Sequence, residues 1–262
     1  MPLRLTPTFR DALATADGPL VGMWVCSGSP LVAEICAGAG LDLLLIDMEH
    51  SPNGLESVLA QLQAVAAYPV TPVVRVPSAD PVTIKQVLDL GAQNLVVPMV
   101  SSADAARAVV EAVRYPPRGR RGVGSALARS ARWNRVDGYL EDADAHVSLV
   151  VQVETAEGVA AAEAIAAVDG VDGVFVGPAD LAASMGLLGR QTHPDVVAAV
   201  HRAFDGVRAA GTPVGVNAFD PALARSYVDA GASFVLVGAD VTLLARGSEE
   251  LARRLVPPDE LS

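Results

Sequence analysis

The sequence predicts an α/β fold, a (β/α)8 TIM barrel, and three observations carry that reading. Eight strand-sized apolar runs recur along the chain, rich in Val, Leu and Ile and without strict alternation, as strands covered on both faces read. Helical patterns of crossover length lie between most of them. The 262 residues match the ~250 typical of one such barrel, so residues 1–262 are read as a single domain.

The runs cover residues 21–27, 42–49, 72–76, 94–100, 148–154, 173–177, 213–218 and 233–238. Four of them follow a glycine, in AGAGLDLLLID, DLGAQNLVVPM, VDGVDGVFVGP and DAGASFVLVGA. Glycine closes helices because it takes up a left-handed backbone without steric cost, so each marks a helix end feeding the next strand. Helical patterns cover 55–67, 81–90, 103–113, 156–167, 194–210, 221–229 and 243–255. An extra helix at 8–16 is placed to close the bottom of the barrel. The C-terminal helix, about 241–255, is expected to end at Pro257-Pro258. No linker divides the chain. The one long irregular stretch is 115–135, with Pro116, Pro117, Gly119, Gly122 and Gly124; loops of that length are functional or disordered.

Composition narrows the function classes. At 51% hydrophobic residues the chain can bury a sizeable core. Lys+Arg is 19 against Asp+Glu 30, a net −11, which argues against nucleic acid or an anionic membrane as main partner. The basic residues are arginines except for Lys85, so a Schiff base or pyridoxal phosphate has one place to form. Cys26 and Cys36 are too few for a disulfide framework or a multi-cysteine metal site and read as reduced thiols of a cytoplasmic protein. No signal-peptide pattern opens the chain and no apolar run reaches membrane-span length.

Barrel active sites lie at the C-terminal ends of the strands, and there the polar residues gather. The second strand ends in Asp47-Met48-Glu49-His50, the third carries Arg75, the fifth Gln152 and Glu154, and the sixth runs into Gly177-Pro178-Ala179-Asp180. Gln152 and Glu154, two apart on a strand, point the same way. Glu154 and Asp180 offer hard oxygen ligands from neighbouring strands, a pair suited to Mg2+ or Mn2+ with positions left for water and substrate. Neither HxxxH nor HExxH occurs, which disfavours a histidine zinc site. Plainer readings stand beside these: Asp180 as a helix N-cap, Glu154 paired with an arginine, His50 as a loop histidine, Arg75 as a buried structural cation.

The segments DMEH, PVVRVP, PVTIKQVLDLGAQNLVVPMV, RYPPRGRRGVGSALARSARWNR, VQVET and GVDGVFVGPADLAASMG resemble those of the metal-dependent (class II) pyruvate aldolases, over nearly the whole chain. The resemblance implies a phosphoenolpyruvate/pyruvate-type barrel in which Glu154 and Asp180 bind a divalent metal (Mg2+, Mn2+ or Co2+). A 2-oxo acid would chelate that metal, which stabilises the enolate formed as a carbon–carbon bond breaks. By the same resemblance Gln152 and the backbone amide of Ala179 touch the substrate, beside Asp180, and Arg75 stabilises developing negative charge. His50 is the base acting on the 4-hydroxyl through water, and Asp89, in LDLG, raises its basicity. Asp47 is placed at the same strand end, bonded to bound water or to Arg75.

The implied reaction is the reversible retro-aldol cleavage of a 4-hydroxy-2-oxo acid, a step of aromatic-compound catabolism. The best-matching branch takes 4-hydroxy-2-oxoheptanedioate to pyruvate and succinate semialdehyde. A sugar-acid substrate such as 2-dehydro-3-deoxyglucarate, giving tartronate semialdehyde, is the second reading. A coenzyme A ester lyase, for which no adenine nucleotide site is evident, is a third, and a non-catalytic oligomeric binding protein a fourth. Lys85, in the helix after the third strand, stands off the rim, which leaves metal catalysis as the available route. The resemblance further implies a homo-oligomer, a hexamer built as a trimer of dimers that exchange the C-terminal helix.

Seven arginines lie from 114 to 135: Arg114, Arg118, Arg120, Arg121, Arg129, Arg132 and Arg135. The plain reading is a solvated or interface loop carrying ion pairs; the resemblance places the loop after the fourth strand, where it shapes the mouth and meets a neighbouring subunit, which would make a locally cationic entrance for a carboxylate. Two residues depart from the pattern. Met48 stands where glycine is common, and Asn217 where the seventh strand usually ends in an apolar residue. Cys26, near the end of the first strand, is read either as lining the mouth or as a buried thiol.

Overall fold

The computed structural model describes residues 3–255; Pro257 and Pro258, the expected stop of the last helix, lie outside them. The chain runs α1 (Phe9–Thr15), β1 (Leu20–Val25), α2 (Pro30–Ala37), β2 (Leu43–Asp47), α3 (Leu55–Ala64), β3 (Thr71–Arg75), α4 (Pro81–Asp89), β4 (Asn94–Val97) and α5 (Ala103–Val113). It continues β5 (Ser148–Val153), α6 (Ala156–Ala160), α7 (Ala162–Ala166), β6 (Gly173–Val176), α8 (Pro178–Ser184), α9 (Pro194–Ala209), β7 (Val214–Asn217), α10 (Pro221–Asp229), β8 (Phe234–Ala239) and α11 (Asp240–Leu255). The strands close in sequence order into a parallel barrel, β8 pairing back onto β1.

Local chemistry sets the elements. Asp80 and Asp220 cap α4 and α10 through their carboxylates, each with proline at the first helical position. The predicted helix at 156–167 is two short helices broken at Ala161 (φ −99°, ψ 5°). Two helices carry no amphipathic period in the sequence. In α2, Leu31 and Ile35 are exposed while Ala33 and Cys36 are buried, so apolar residues occupy both faces and no amphipathic stripe appears. In α8 the helix spans seven residues, too few to show a period.

Two apolar layers hold the barrel. Trp24, Leu45, Val73, Val150, Phe175 and Phe234 fill its interior. Gly215 is required there, since a side chain would begin 2.2 Å from the Phe234 ring. Phe9 plugs the bottom, edge-on to Phe234 with ring centroids 5.1 Å apart, and its amide donates to Asn94 Oδ1 at 2.7 Å. Between strands and helices a larger layer of Val, Leu, Ile and Ala is buried. At ~25 cal/mol per Å2 of apolar area these layers are the main favourable contribution to folding.

The arginine-rich stretch corrects an expectation. It follows α5, not β4, and α5 has already carried the chain back to the strands' N-terminal ends. Arg129 and Arg132 lie beside Thr71, Pro72 and Asn94, where β3 and β4 begin, and the Arg135 carbonyl accepts from the Leu3 amide at 2.8 Å. The loop sits at the base of its own barrel and does not form its mouth. In α11, every residue is exposed except Asp240 and Ala252. Among the described residues no helix is long and apolar enough to cross a membrane.

Candidate active site

The mouth is organised around Asp47. This carboxylate is 1% exposed and accepts two bonds from Arg75, Nε to Oδ1 at 2.7 Å and Nη2 to Oδ2 at 2.8 Å. It also accepts from the backbone amides of Glu49 (3.0 Å) and His50 (3.2 Å), which wraps the Asp47-Met48-Glu49-His50 turn around it. Burial pushes the Asp47 carboxyl up, but the Arg75 guanidinium and the two amides outweigh burial and hold it below the usual carboxylate range. The Asp47 carbonyl accepts from Asn53 Nδ2 at 2.7 Å, and Asn53 Oδ1 from Gln61 Nε2 at 2.6 Å, so α3 braces the turn.

Arg75, at the end of β3, is buried and held on three sides. Besides Asp47 it faces Glu49, Nη1 to Oε2 at 3.0 Å. Its guanidinium lies over the Trp24 ring, 4.2 Å from the centroid. Trp24 Nε1 in turn donates to Asn217 Oδ1 at 2.8 Å. The polar Asn217 at the end of β7 therefore has a partner that an apolar residue would not supply. The geometry matches the reading of Arg75 as a buried cation with structural partners.

Across the mouth, Glu154 follows β5 and is 2% exposed. Its Oε1 accepts from the Met99 amide at 2.8 Å, and its Oε2 from Gln152 Nε2. Met99 holds φ +59°, a left-handed conformation uncommon for a side chain of this kind, which aims its amide at Glu154. Burial is the largest influence on the Glu154 carboxyl; the Met99 amide and Gln152 oppose it, and Asp180 and Glu49 add to it, leaving its pKa at about 7. Glu49 is also raised by burial, against the pull of Arg75 and His50. Asp180 lies in the first turn of α8 and is exposed; Gly177, not Asp180, is the N-cap, so the plain N-cap reading is corrected.

These residues fit a divalent cation. The Asp180 carboxylate adds to the rise of both Glu154 and Glu49, and Glu49 adds further to that of Glu154. Gln152 Oε1 is buried and has no hydrogen-bond partner among the described residues. Gly177 leaves the space open, since a side chain there would begin 2.8 Å from Glu154 Oε2. Among the described residues no three His, Cys, Asp or Glu lie close enough to cage an ion by themselves. Two carboxylates with water and substrate completing the sphere are what Mg2+ and Mn2+ accept.

His50 stands at the rim with its side chain 64% exposed, Nε2 3.9 Å from Glu49 Oε1. Ala179 is exposed in the first turn of α8. The structure does not bring Asp89 to His50 within one chain. Asp89 ends α4, five residues before β4 begins, hence at the base of the barrel, and it holds Arg121 there (Oδ1 to Nη2 3.2 Å). Lys85 lies half-buried on the same helix, against Gly122 and away from the mouth. The Cys26 thiol is pushed up to about 12, chiefly by burial, with Asp47 and Asp240 adding. Sequence reasoning did not single out Glu49, Trp24, Met99 or Gly177 as site residues. Glu49 was legible as the third member of DMEH, whereas nothing in Pro98-Met99 announces a left-handed residue.

A family model described as HpcH/HpaI aldolase/citrate lyase matches residues 20–247, and the chain belongs to that family, one of aldolases and lyases. A 4-hydroxy-2-oxo-heptane-1,7-dioate aldolase of Salmonella heidelberg (strain SL476) is 53% identical over 254 residues, 97% of this chain and 96% of that protein. A HpcH/HpaI aldolase/citrate lyase family protein from Burkholderia cenocepacia J2315 has a crystal structure similar at TM-score 0.91 and 43% identity, covering 96% of this chain and 100% of that one. The citrate synthase SbnG is similar at TM-score 0.84 and 27% identity, over 97% and 99% of the two chains.

Proposed function

We propose that this protein is a divalent-metal-dependent aldolase that cleaves 4-hydroxy-2-oxoheptanedioate to pyruvate and succinate semialdehyde and catalyses the reverse addition. The observation that carries the reading is the buried Asp47–Arg75 pair with half-buried Glu49, facing the Glu154 and Asp180 carboxylates, on a chain 53% identical to an aldolase named for that substrate.

Glu154 and Asp180 would hold Mg2+, Mn2+ or Co2+, which when bound supplies Lewis-acid polarisation of a 2-oxo acid. The chain's own groups do the rest. Arg75, immobilised by Asp47 and Trp24, offers a fixed cation to the keto oxygen as charge develops on it, so no reorganisation is needed at the moment of reaction. His50 takes the 4-hydroxyl proton through water, the C3–C4 electron pair moves toward the keto oxygen, and protonation at C3 completes pyruvate. Gln152, with its free Oε1, and the Ala179 amide contact the substrate. Asp89 acts on His50 only from a second copy of the chain, since α4 carries it to the base of its own barrel. Exposure of Val241, Leu243, Leu244, Leu251 and Leu255 along α11 supports a helix exchanged between subunits of a hexamer. Two free cysteines support a cytoplasmic location.

Pyruvate release, followed with a coupled dehydrogenase, tests the reading on 4-hydroxy-2-oxoheptanedioate, 2-dehydro-3-deoxyglucarate and an acyl-coenzyme A thioester, in EDTA and with Mn2+. The heptanedioate should turn over fastest and only with metal. Cleavage that survives EDTA, or thioester cleavage alone, would defeat it.

A further inference from the structure

A cavity of about 290 Å3 opens at the base of the barrel, at the other end from the mouth. Leu62, Val65, Val70 and Pro72 make an apolar wall, and Arg129 and Arg132 close the polar side. Its volume is at the low end of small-molecule sites. It is separate from the mouth. Thr71 and Pro72 begin β3 while Arg75 ends it, and four residues of strand span ~13 Å.

The two guanidiniums are brought together. A side chain at Gly91 would begin 2.8 Å from Arg129 Nη1 and 2.9 Å from Arg132 Nη1, so both nitrogens crowd one point, and Gly91 itself holds φ +89°. Each Nη1 donates only to a backbone carbonyl, Leu90 O at 3.0 Å and Arg129 O at 2.6 Å. Among the described residues neither arginine has a carboxylate within ion-pair distance. The side-chain amides of the lining are occupied. Gln93 bonds Thr6 in both directions, and Asn94 bonds Phe9 and Pro72. Capping the end of α4 accounts for one N–H of Arg129 and leaves the pairing of two like charges in a half-buried place without an account. Burial lowers the pKa of both, and the neighbouring Arg132 lowers Arg129 further.

We propose that this cavity binds a small organic carboxylate with a compact apolar body, the carboxylate bridging Arg129 and Arg132 and the body resting on Leu62, Val65 and Val70. A bidentate oxygen pair matches the guanidinium fork, and the apolar wall selects against bare inorganic anions.

Benzoate is the probe and benzamide its neutral counterpart, measured by equilibrium dialysis on the full chain with saturating pyruvate and Mn2+ to fill the mouth. The expected result is one benzoate per chain that pyruvate does not displace, with benzamide and inorganic phosphate each at least tenfold weaker. Arg132→Gln, and separately Ala66→Trp, which fills the cavity and keeps both arginines, should each weaken benzoate at least tenfold and leave pyruvate release at the mouth unchanged. Equal binding of benzoate and benzamide, phosphate as tight as benzoate, displacement by pyruvate, or undiminished affinity in either folded variant would overturn the proposal.

Discussion

Glu154→Gln separates what the mouth costs from what it does. The substitution removes one charge and almost no volume. The new amide can still accept from the Met99 N–H, and Gln152 can turn its amide so that its unpartnered Oε1 accepts from the new NH2. The wild-type carboxyl titrates at about 7, against 4.5 for an ordinary glutamate. Between those values the folded chain keeps a proton that the unfolded chain has released, so metal-free stability falls as pH rises through that window. The full gap corresponds to about 3 kcal/mol at ~1.36 kcal/mol per pH unit. Urea unfolding in EDTA at pH 5 and pH 8 measures it. The variant should gain on wild type by roughly 2–3 kcal/mol between the two pH values and be the more stable protein at pH 8. Mn2+ should then stabilise wild type and leave the variant unmoved, while the variant's activity is lost. A wild type more stable than the variant at pH 8 in EDTA would refute the reading of Glu154 as a buried charge waiting for a cation.

The remaining predictions address other parts of the mouth. His50→Ala should lower kcat by ~10^2–10^4 while leaving unfolding within ~0.5 kcal/mol, because the ring is exposed; an unchanged kcat removes His50 from the base role. Arg75→Lys cannot reproduce two bonds to Asp47, the contact with Glu49 and the stack on Trp24, so kcat should fall by ~10^2, and a variant within threefold of wild type counts against a fixed guanidinium. Gly177→Ala should raise the Mn2+ dissociation constant about tenfold, ~1.4 kcal/mol, because its methyl would begin 2.8 Å from Glu154 Oε2. Unaltered Mn2+ affinity, read by calorimetry, contradicts the placement of the cation beside Gly177.

The barrel was legible because each of its eight strands is buried on both faces, and continuous Val, Leu and Ile runs are the direct imprint of that burial. The helices α2 and α8 were not, one because both its faces carry apolar side chains, the other because it is two turns long. At the site, Asp47, Arg75, Gln152 and Glu154 were legible as polar residues stranded at the ends of apolar runs, where only a function or a partner justifies them. Their partners were less so. The stack of Arg75 on Trp24 joins β3 to β1, and the Met99 amide reaches Glu154 only through a left-handed backbone. The arginine loop was misplaced for a topological reason. Position in sequence says which strand precedes a segment, but the intervening helix decides which end of the barrel receives it.

That reversal changes the electrostatics of catalysis. With the arginines at the base, the mouth within one chain, among the described residues, holds Asp47, Glu49, Glu154 and Asp180 against the guanidinium of Arg75. A dicarboxylate approaching such a rim meets net negative charge in a partly dehydrated place, where charges are weakly screened. A divalent cation offsets most of that excess, so the proposed order of binding places the cation ahead of the 2-oxo acid. Gel filtration of the protein with labelled pyruvate tests the order. Pyruvate should be retained with Mn2+ and lost in EDTA, and the Glu154→Gln protein, with one negative charge fewer, should retain more pyruvate in EDTA than wild type does. Equal retention by wild type with and without metal would show that Arg75 alone overcomes the acidic rim, and the mouth would then need a different account of its four carboxylates.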